Sequence, residues 1–366
     1  MNVLIVAPFF DLEAKTNRPA MIRDVLSSSG CNVFTLTSDF SHAMKKQVVY
    51  SELDIRAIKT MRYYSNTGIS RFFSHILLSI SFMIWYFNNR SKFDSVYVTS
   101  PFVIFALFVG IVNRSKLIID VVDFWPDSLP FPKGRVFRLG TFIWHKINAF
   151  SYRYADCVIS LSSTFLELVP ERGLKRQISL GTHSDFAKLD FESNVINILY
   201  VGNIGQLYDF YTLVDSIAIS QRKVKLHLVG GGDVLDDLIF QLNSKNVDYV
   251  YYGLVYDDQK LKNIASKCQL GFNGFKDETN ASFSYKALTY LMYGLPILNS
   301  MQGDLYDIVI KNDLGLNYKP GDVESLLGII DGIDQLEQKN QNVMKYFSKN
   351  LEYDVVAKDI LNVFDI

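Results

Sequence analysis

The feature that most constrains the fold is a regular alternation of short apolar runs with longer helical stretches, repeated in both halves of the chain. Apolar runs of this length, rich in β-branched and aromatic residues, predict buried strands. Strands that alternate with helices are typical of a parallel sheet covered by helices on both faces. The sequence therefore predicts an α/β fold with doubly wound sheets. The predicted strands are 3–8, 32–38, 95–100, 116–123, 156–162, 197–202, 225–231, 247–253, 269–275 and 295–300; the helices of the first half are 17–29, 71–90, 101–113 and 134–154.

A chain of 366 residues is long for one core and favours two domains. The polar segment 182–194 has no periodicity and is the predicted linker. We therefore expect an N-terminal Rossmann-like domain over 1–185 and a C-terminal one over 195–343. If the two sheets face each other, the carboxyl ends of their strands form one ligand-binding cleft.

Composition points to an ordinary globular protein in a reducing compartment. Hydrophobic residues make up 49% and aromatic residues 14% of the chain, enough for two packed cores. The three cysteines have no paired spacing and the five histidines form no metal-binding motif. The opening residues MNVLIVAPFFD resemble a buried strand more than a signal peptide. The apolar windows 72–87 and 102–112 are shorter than the ~20 residues that span a bilayer. These features predict a cytoplasmic location and no metal.

The net charge of −1 hides an asymmetry between the halves. Residues 1–190 hold 22 Lys or Arg against 15 Asp or Glu, which leaves 15 against 23 for the rest. Between Lys133 and Arg153, basic residues alternate with aromatic and aliphatic ones, a pattern suited to an anionic membrane surface. A packed helix with a solvated basic side gives the same pattern, so both interpretations stay open.

The stretch SYKALTYLMYGLPI, residues 284–297, predicts a helix with its one cation at the unfavourable end. The helix dipole places partial positive charge at the N-terminus, so Lys286 there needs an anion or another partner. A functional lysine that faces a bound anion and an ordinary solvated lysine are the two alternatives.

Glycine-rich strand ends supply candidate donors for such an anion. In YVGNIGQLYD, residues 200–209, a strand delivers Gly202 and Gly205 into a tight loop before a helix, where backbone N–H groups can bind phosphate. LVGGGD, residues 228–233, is a second such end, and a simple turn explains either. One pyrophosphate could bind the loop and Lys286 together if both face the same cleft.

These stretches also carry a family resemblance. LYVGNIGQLYD, LHLVGGGD, YYGLVYDDQKL and YKALTYLMYGLPILNSMQGDL resemble, in this order, the donor-binding half of the retaining glycosyltransferases of family 4, which have the GT-B fold. In the first half, TNRPAMIRDVLSSSG, TSDFSH and DVVDFWPDSLP are similar to bacterial enzymes of capsule and O-antigen assembly, including N-acetyl-L-fucosamine transferases. The resemblance extends over nearly the whole chain.

The resemblance implies a nucleotide-sugar donor, usually UDP-linked, bound by the C-terminal domain, and a glycan or lipid-linked acceptor bound mainly by the N-terminal one. It implies no cofactor and no nucleic acid. The last segment, 344–366, is expected to be a helix that crosses back to the N-terminal domain. The implied donor-site residues are Gly202, Asn203 and Gly205 at the diphosphate, Gly253, Leu254 and Val255 near the base, and Lys286 on the diphosphate.

The sequence departs from the family at two positions. The family has two glutamates eight residues apart, and this chain has Ala281 and Thr289 there. The second glutamate ordinarily contacts the donor ribose, a contact that the Thr289 hydroxyl could replace. Asp304 lies where the subgroup has an acid and is a candidate for contact with the sugar, or a helix cap.

Candidate catalytic residues in the first half are Asp123, Asp127, Arg18 and His42. Asp123 ends a predicted strand where the family often has a histidine near the donor sugar, and a loop-locking role is the alternative. Arg18 follows the first strand and is a candidate for phosphate charge, or an ordinary surface arginine. His42, like His75, is a candidate proton shuttle, although a lone histidine is more often structural.

The chemistry that these residues suggest is transfer of a sugar without an essential metal. No Asp-x-Asp pair ends a strand, and no serine or cysteine nucleophile motif is present. A retaining, front-face transfer is expected, with the leaving diphosphate stabilised by Lys286 and helix N-termini. The alternatives are a catalytically silent subunit that supports a partner enzyme and a nucleotide-sugar epimerase.

Overall fold

The computed structural model describes residues 1–11, 17–41, 46–62, 69–112, 115–123, 125, 135–170, 173–191, 194–277 and 283–366. The chain forms two compact units. Unit 1 contains Met1–Gly181 and Asp354–Ile366, and unit 2 contains Thr182–Tyr353.

Within the described residues, unit 1 is built on a seven-stranded sheet in the order β5-β2-β1-β6-β7-β8-β9, all of whose neighbours are parallel. Val3–Val6 of the first strand are fully buried, as expected for a strand covered on both faces. A short antiparallel pair, β3 and β4, lies outside this sheet. The strands are β1 (Asn2–Val6), β2 (Asn32–Ser38), β3 (Phe40–Ser41), β4 (Lys46–Gln47), β5 (Ile55–Ile58), β6 (Ser95–Thr99), β7 (Lys116–Val121), β8 (Cys157–Ser160) and β9 (Leu174–Gln177).

The described part of unit 2 has a six-stranded parallel sheet in the order β12-β11-β10-β13-β14-β15. Counted along the chain, this is the order 3-2-1-4-5-6 of dinucleotide-binding folds, and unit 1 begins with the same 3-2-1-4-5. The predicted doubly wound α/β arrangement is thus confirmed in both units. The strands are β10 (Val195–Asn203), β11 (Lys223–Gly231), β12 (Asp248–Tyr251), β13 (Leu270–Asn273), β14 (Ile297–Asn299) and β15 (Gly315–Asn317).

Helices cover the faces of both sheets. In unit 1, α2, α3 and α4 pack on one core with strands of the sheet, and Phe82, Phe105 and Tyr152 lie in it. In the described ranges, no helix combines the length and the apolar content needed to span a bilayer. The helices are α1 (Arg18–Ser28), α2 (Ile69–Asn89), α3 (Val103–Val112), α4 (Arg135–Tyr154), α5 (Ser163–Leu168), α6 (Phe210–Ile219), α7 (Leu235–Ser244), α8 (Asp258–Ala265), α9 (Tyr285–Met292), α10 (Asp304–Asn312), α11 (Val323–Asp331), α12 (Leu336–Asn350) and α13 (Tyr353–Phe364).

The C-terminal segment differs from the expected single helix over 344–366. The helix is interrupted at Leu351 and Glu352, which separate α12 from α13. The break occurs because Thr182 pairs with this segment: its N–H donates to the Leu351 carbonyl (3.1 Å), and its carbonyl accepts from the Tyr353 N–H (3.1 Å). Beyond it, α13 belongs to unit 1, where Val356 packs beside Gly181.

Candidate functional site

The candidate site lies where the strand order of unit 2 reverses, between β10 and β13. In doubly wound sheets the loops after two such strands diverge and leave a crevice for ligands. Here the two loops are joined edge to edge. The Asp209 N–H donates to the Gly274 carbonyl (3.2 Å), and the Lys276 N–H donates to the Leu207 carbonyl (3.0 Å). The two loops that follow β10 and β13 are therefore held together by backbone hydrogen bonds.

Gly202, at the end of β10, lies against the side chain of Lys286. A Cβ on Gly202 would be 3.3 Å from Cδ of Lys286, a tight contact, and its φ of +131° is rarely adopted by other residues. The end of the neighbouring strand, β11, also packs tightly against Gly202. A Cβ on Gly230 would be 1.8 Å from the Gly202 carbonyl oxygen. The structure thus brings together the glycine loop and the lysine that the sequence singled out.

The ammonium group of Lys286 lies over aromatic rings. Its Nζ is 3.5 Å from the ring centroid of Tyr208, 4.9 Å from that of Phe275 and 5.5 Å from that of Tyr200. Ring faces attract cations, most strongly where water is excluded. Among the described residues, Lys286 takes part in none of the ion pairs. The cation expected to need an anion therefore faces three aromatic rings.

Burial makes this lysine titratable near neutral pH. Burial removes the ammonium group from water and therefore lowers the pKa of Lys286 from 10.5 to about 7. An anion beside it would favour the charged form and raise the pKa again. The group can therefore change its protonation state when an anion binds.

The N-terminus of α9, whose first turn contains Lys286, is capped by a side chain. Ser284 is the cap: its hydroxyl accepts from the Ala287 N–H (3.1 Å) and donates to Oδ1 of Asn273 (2.6 Å). A helix N-terminus carries partial positive charge and unpaired N–H donors, so it adds to the attraction for an anion.

A chain of buried amides, which the sequence reasoning missed, continues from Ser284. Asn273 Nδ2 donates to Oδ1 of Asn299 (2.8 Å), Asn299 Nδ2 donates to Oδ1 of Asn317 (2.7 Å), and Asn317 Nδ2 donates to the Tyr306 carbonyl (2.9 Å). Every bond runs in the same direction, and Asn273 and Asn299 are fully buried. This asparagine chain links the start of α9 to the first turn of α10. Its signal in the sequence is the Asn that ends three successive strands, in GFN, ILN and GLN.

The other predicted residues of the glycine-rich loops lie at the same edge of the sheet. The Tyr200 hydroxyl donates to the carbonyl of Asn203, and the space beside Gly205 is filled by the Asn203 side chain, 2.4 Å from the position of a Cβ. The Gly253 carbonyl accepts from the Gly230 N–H (2.8 Å). Leu254 follows as an exposed side chain, and Val255 is half-buried.

Thr289 and Asp304 occupy helical positions. The Thr289 hydroxyl donates to the Tyr285 carbonyl one turn earlier (3.1 Å), which leaves its oxygen able to accept a further bond. Asp304 is the first residue of α10, and Gly303 holds the cap position, so Asp304 is not the N-cap itself. An acidic residue in a first turn is favoured by the helix dipole.

In unit 1, Arg18 is buried in an ion pair. Its side chain is 2% exposed, its Nε is 2.6 Å from Oδ2 of Asp120, and its Nη1 donates to the Ile178 carbonyl (2.8 Å). The hydroxyl of Tyr97 donates to the same carboxylate. These contacts give Arg18 a structural role, and an anionic ligand would compete with Asp120. Its predicted contact with a phosphate stays a prediction.

The remaining candidates of unit 1 lie near the carboxyl end of β7 or outside the described residues. Asp123 is exposed, and Ser100 holds its backbone: the hydroxyl donates to the Asp123 carbonyl (2.8 Å) and accepts from its N–H (3.2 Å). His75 is buried and stacks on Trp125, with ring centroids 5.3 Å apart. His42 and Asp127 lie outside the described residues, as does Ala281 of unit 2.

No cluster of three or more His, Cys, Asp or Glu side chains suited to a metal ion occurs in the portion of the chain that the structure describes. The described candidate site of unit 2 offers a buried lysine, backbone donors and aromatic rings. This set of groups can bind and stabilise an anion such as a diphosphate.

Comparison with known proteins shows the fold. No protein-family model matches the chain, and no curated protein matches its sequence. Among solved structures, sucrose-phosphate synthase from Thermosynechococcus elongatus is similar with a TM-score of 0.76 at 15% identity, covering 100% of this chain and 98% of that one. Anabaena HepE in complex with UDP has a TM-score of 0.73 at 14% identity over 100% of both chains. The lipopolysaccharide outer core galactosyltransferase WaaB has a TM-score of 0.65 at 16% identity, covering 100% of this chain and 99% of that one. The chain has the GT-B fold of these glycosyltransferases.

The buried amine predicts a pH-dependent cost in stability. Below pH ~7 the folded protein holds a buried ammonium, whereas the unfolded chain carries its proton up to its ordinary pKa of 10.5. Lys286→Met should therefore raise the melting temperature most below pH ~7, and this gain should shrink as the pH rises toward 10.5. Thermal unfolding over this range measures it, with Lys349→Met, at an exposed position of α12, as the matched control. A gain in melting temperature that does not change with pH would contradict a lowered pKa for Lys286.

The asparagine chain predicts a direction-sensitive substitution. Asn299→Asp keeps the acceptor for Asn273 but removes the donor to Asn317 and to the Met301 carbonyl, leaving buried acceptors without a proton. Loss of such partners costs about 1–3 kcal/mol. Burial beside acceptors raises the pKa of the new carboxyl group, so the penalty should shrink as the pH falls toward ~4, where the group holds a proton that it can donate. Urea unfolding at two pH values tests this against Asn263→Asp, an exposed control on α8. Equal effects of both substitutions would contradict a directional chain.

Proposed function

We propose that this protein is a glycosyltransferase that moves a sugar from a nucleotide sugar, UDP-linked, to a lipid-linked or growing surface-polysaccharide acceptor. The observation that carries the proposal is the convergence of Lys286, the Gly202 loop and the capped start of α9 at the switch point of unit 2. The same fold occurs in HepE, which has been solved with UDP and with UDP-glucose. WaaB, with this fold, is a galactosyltransferase of the lipopolysaccharide outer core.

In this proposal the donor diphosphate binds at the glycine loop, and Lys286 donates charge-assisted hydrogen bonds to it. Asn203 and Gly205 shape the loop, and the segment from Gly253 to Val255 lies beside the nucleoside. The aromatic faces that hold the ammonium in the free protein are weaker partners than a phosphate dianion. Donor binding would thus exchange a cation–π contact for an ion pair.

The reaction would break the bond between the anomeric carbon and the diphosphate oxygen and form one to an acceptor hydroxyl. The negative charge that develops on the departing diphosphate would be stabilised by Lys286 and the start of α9. The acceptor hydroxyl would attack from the face that the diphosphate leaves and pass its proton to the leaving phosphate oxygen, so the sugar keeps its configuration. We propose transfer without an essential metal, in which Asp304 contacts the donor sugar.

A catalytically silent subunit that supports a partner enzyme is the second candidate. One observation favours it: the family's glutamate is replaced by Thr289, whose hydroxyl already donates to its own helix. Such a hydroxyl can accept from a ribose, but because it is uncharged the contact is weaker than a carboxylate's. The intact lysine and glycine loop favour the active enzyme, and UDP release that depends on an acceptor distinguishes the two.

Nucleotide sugars should stabilise the protein without added metal. A thermal-shift screen should give an increase in melting temperature with a UDP-sugar that persists in EDTA, because the charge on the diphosphate is met by Lys286. Lys286→Gln should weaken UDP binding by about 1.5–3 kcal/mol, the scale of a charged hydrogen bond. The control, Lys349→Gln, makes the same change of charge on an exposed surface of unit 2.

Two outcomes would count against this account. No shift with any nucleotide sugar would favour the silent subunit. Equal UDP affinity in Lys286→Gln and in the control would place the diphosphate elsewhere.

A further inference from the structure

Three helices on one face of the unit 1 sheet form a layer without acidic residues. The helices α2, α3 and α4 share one core with the sheet, and α3 packs against both of the others. The segments 69–92, 103–112 and 135–154, which contain these helices, hold seven Lys or Arg and no Asp or Glu. Seven charges of one sign are seldom expected by chance, since the whole chain has 37 basic and 38 acidic residues.

The outer side of α2 carries a stripe of exposed apolar side chains. Leu77, Ile80, Ile84 and Phe87 recur at intervals of three and four residues and are 46–63% exposed. This is the spacing of one helix face. The opposite side of the same helix packs into the core through Leu78, Phe82 and Tyr86, so α2 is apolar on both sides.

A matching surface occurs on α4. Leu139, Phe142, Ile143 and Phe150 are 50–61% exposed. Between the two helices, Ile111 at the end of α3 is also exposed. Monomeric soluble proteins seldom expose contiguous apolar surface of this kind unless it contacts a partner or a membrane.

Basic side chains lie within this apolar surface. The Arg90 guanidinium is 3.9 Å from the ring centroid of Phe87, and Lys146 Nζ is 5.3 Å from that of Phe142. Arg138 and Arg153 are exposed on α4. Aliphatic stems and rings that lie beneath cationic ends are suited to the boundary between lipid tails and headgroups.

The charge decides between the two occupants that such a surface could have. A second copy of the chain, docked face to face, would bring two sets of cations together with no acidic partner from these helices. An anionic bilayer offers phosphates to the cations and acyl chains to the apolar stripe. The surface complements anionic lipid and repels itself.

We infer that the outer surface of α2, α3 and α4, the lipid-facing layer, docks unit 1 on an anionic membrane. The helices lie on the bilayer surface in this arrangement. The inference goes beyond the proposed function and uses none of the residues of the donor site. The apolar stripe on α2 supplies a second lipid-facing surface beside the basic, aromatic stretch that ends at Arg153.

Co-sedimentation of the full chain with vesicles tests the inference. Binding to vesicles that contain phosphatidylglycerol should exceed binding to pure phosphatidylcholine and should weaken with salt. Arg138→Gln/Lys146→Gln/Arg153→Gln should bind ~100-fold more weakly at low salt, about fivefold for each charge. The matched control, Lys223→Gln/Lys260→Gln/Lys345→Gln, removes three exposed charges from unit 2 and should bind like the original protein.

A second pair of variants tests the apolar stripe. Leu77→Glu/Ile84→Glu should lose vesicle binding at least tenfold, because two carboxylates would enter the lipid boundary. Ile219→Glu/Ile310→Glu, at positions 60% and 62% exposed in unit 2, should not. UDP binding in solution should be equal in all four variants. Failure of the vesicle-binding prediction therefore leaves the proposed donor site untouched.

Two results would overturn the inference. One is that the original protein does not bind the vesicles, or that Leu77→Glu/Ile84→Glu binds them as strongly as Ile219→Glu/Ile310→Glu does. The other is dimerisation of the original protein, seen by sedimentation equilibrium and abolished by Leu77→Glu/Ile84→Glu, which would make the surface an interface between copies.

Discussion

The contact between the Lys286 side chain and Gly202 is the constraint on which the candidate site depends. The stem of the lysine fits against a strand end that has no Cβ, which carries its ammonium over the ring of Tyr208. A larger residue at 202 would push the lysine away from the rings. The tight strand ends, the capped helix and the paired loops around this contact all keep one amine at one edge of the sheet.

Packing alone does not require an amine at this position. A methionine would fill the same space without the cost of burying an ammonium, a cost that the pKa of about 7 reflects. Residues that lower stability while holding a charge near a crevice are typical of functional sites. The asparagine chain fits this interpretation, because it commits three amides, two of them fully buried, to fixing the helix that carries Lys286 and the helix that begins with Asp304.

The sequence predicted the fold well because the central strands are buried on both faces and therefore read as apolar runs. It missed β5, β9 and β15, which are short strands at the edges of the sheets. The sequence of β9, LKRQ, is also nearly all polar. It joined Lys286 to the Gly202 loop only on the condition that both face one cleft, and it did not predict the rings around the amine, since Tyr208 and Phe275 come from separate loops. For Arg18 the sequence offered a phosphate contact or an ordinary surface position, and it missed the buried ion pair because the partner, Asp120, is 102 positions away. The long-range polar pairs of this protein leave no periodic signal.

The central claim, that Lys286 takes up the charge of the donor diphosphate, predicts proton uptake on binding. At pH ~8 the amine is mostly neutral in the free protein and UDP is fully ionised, so an ion pair requires a proton from the solvent. Calorimetric titration of UDP in two buffers of different ionisation enthalpy measures this number directly. The account predicts uptake approaching one proton at pH ~8, little uptake well below pH 7, and none in Lys286→Met. UDP binding at pH ~8 with no buffer dependence would contradict it.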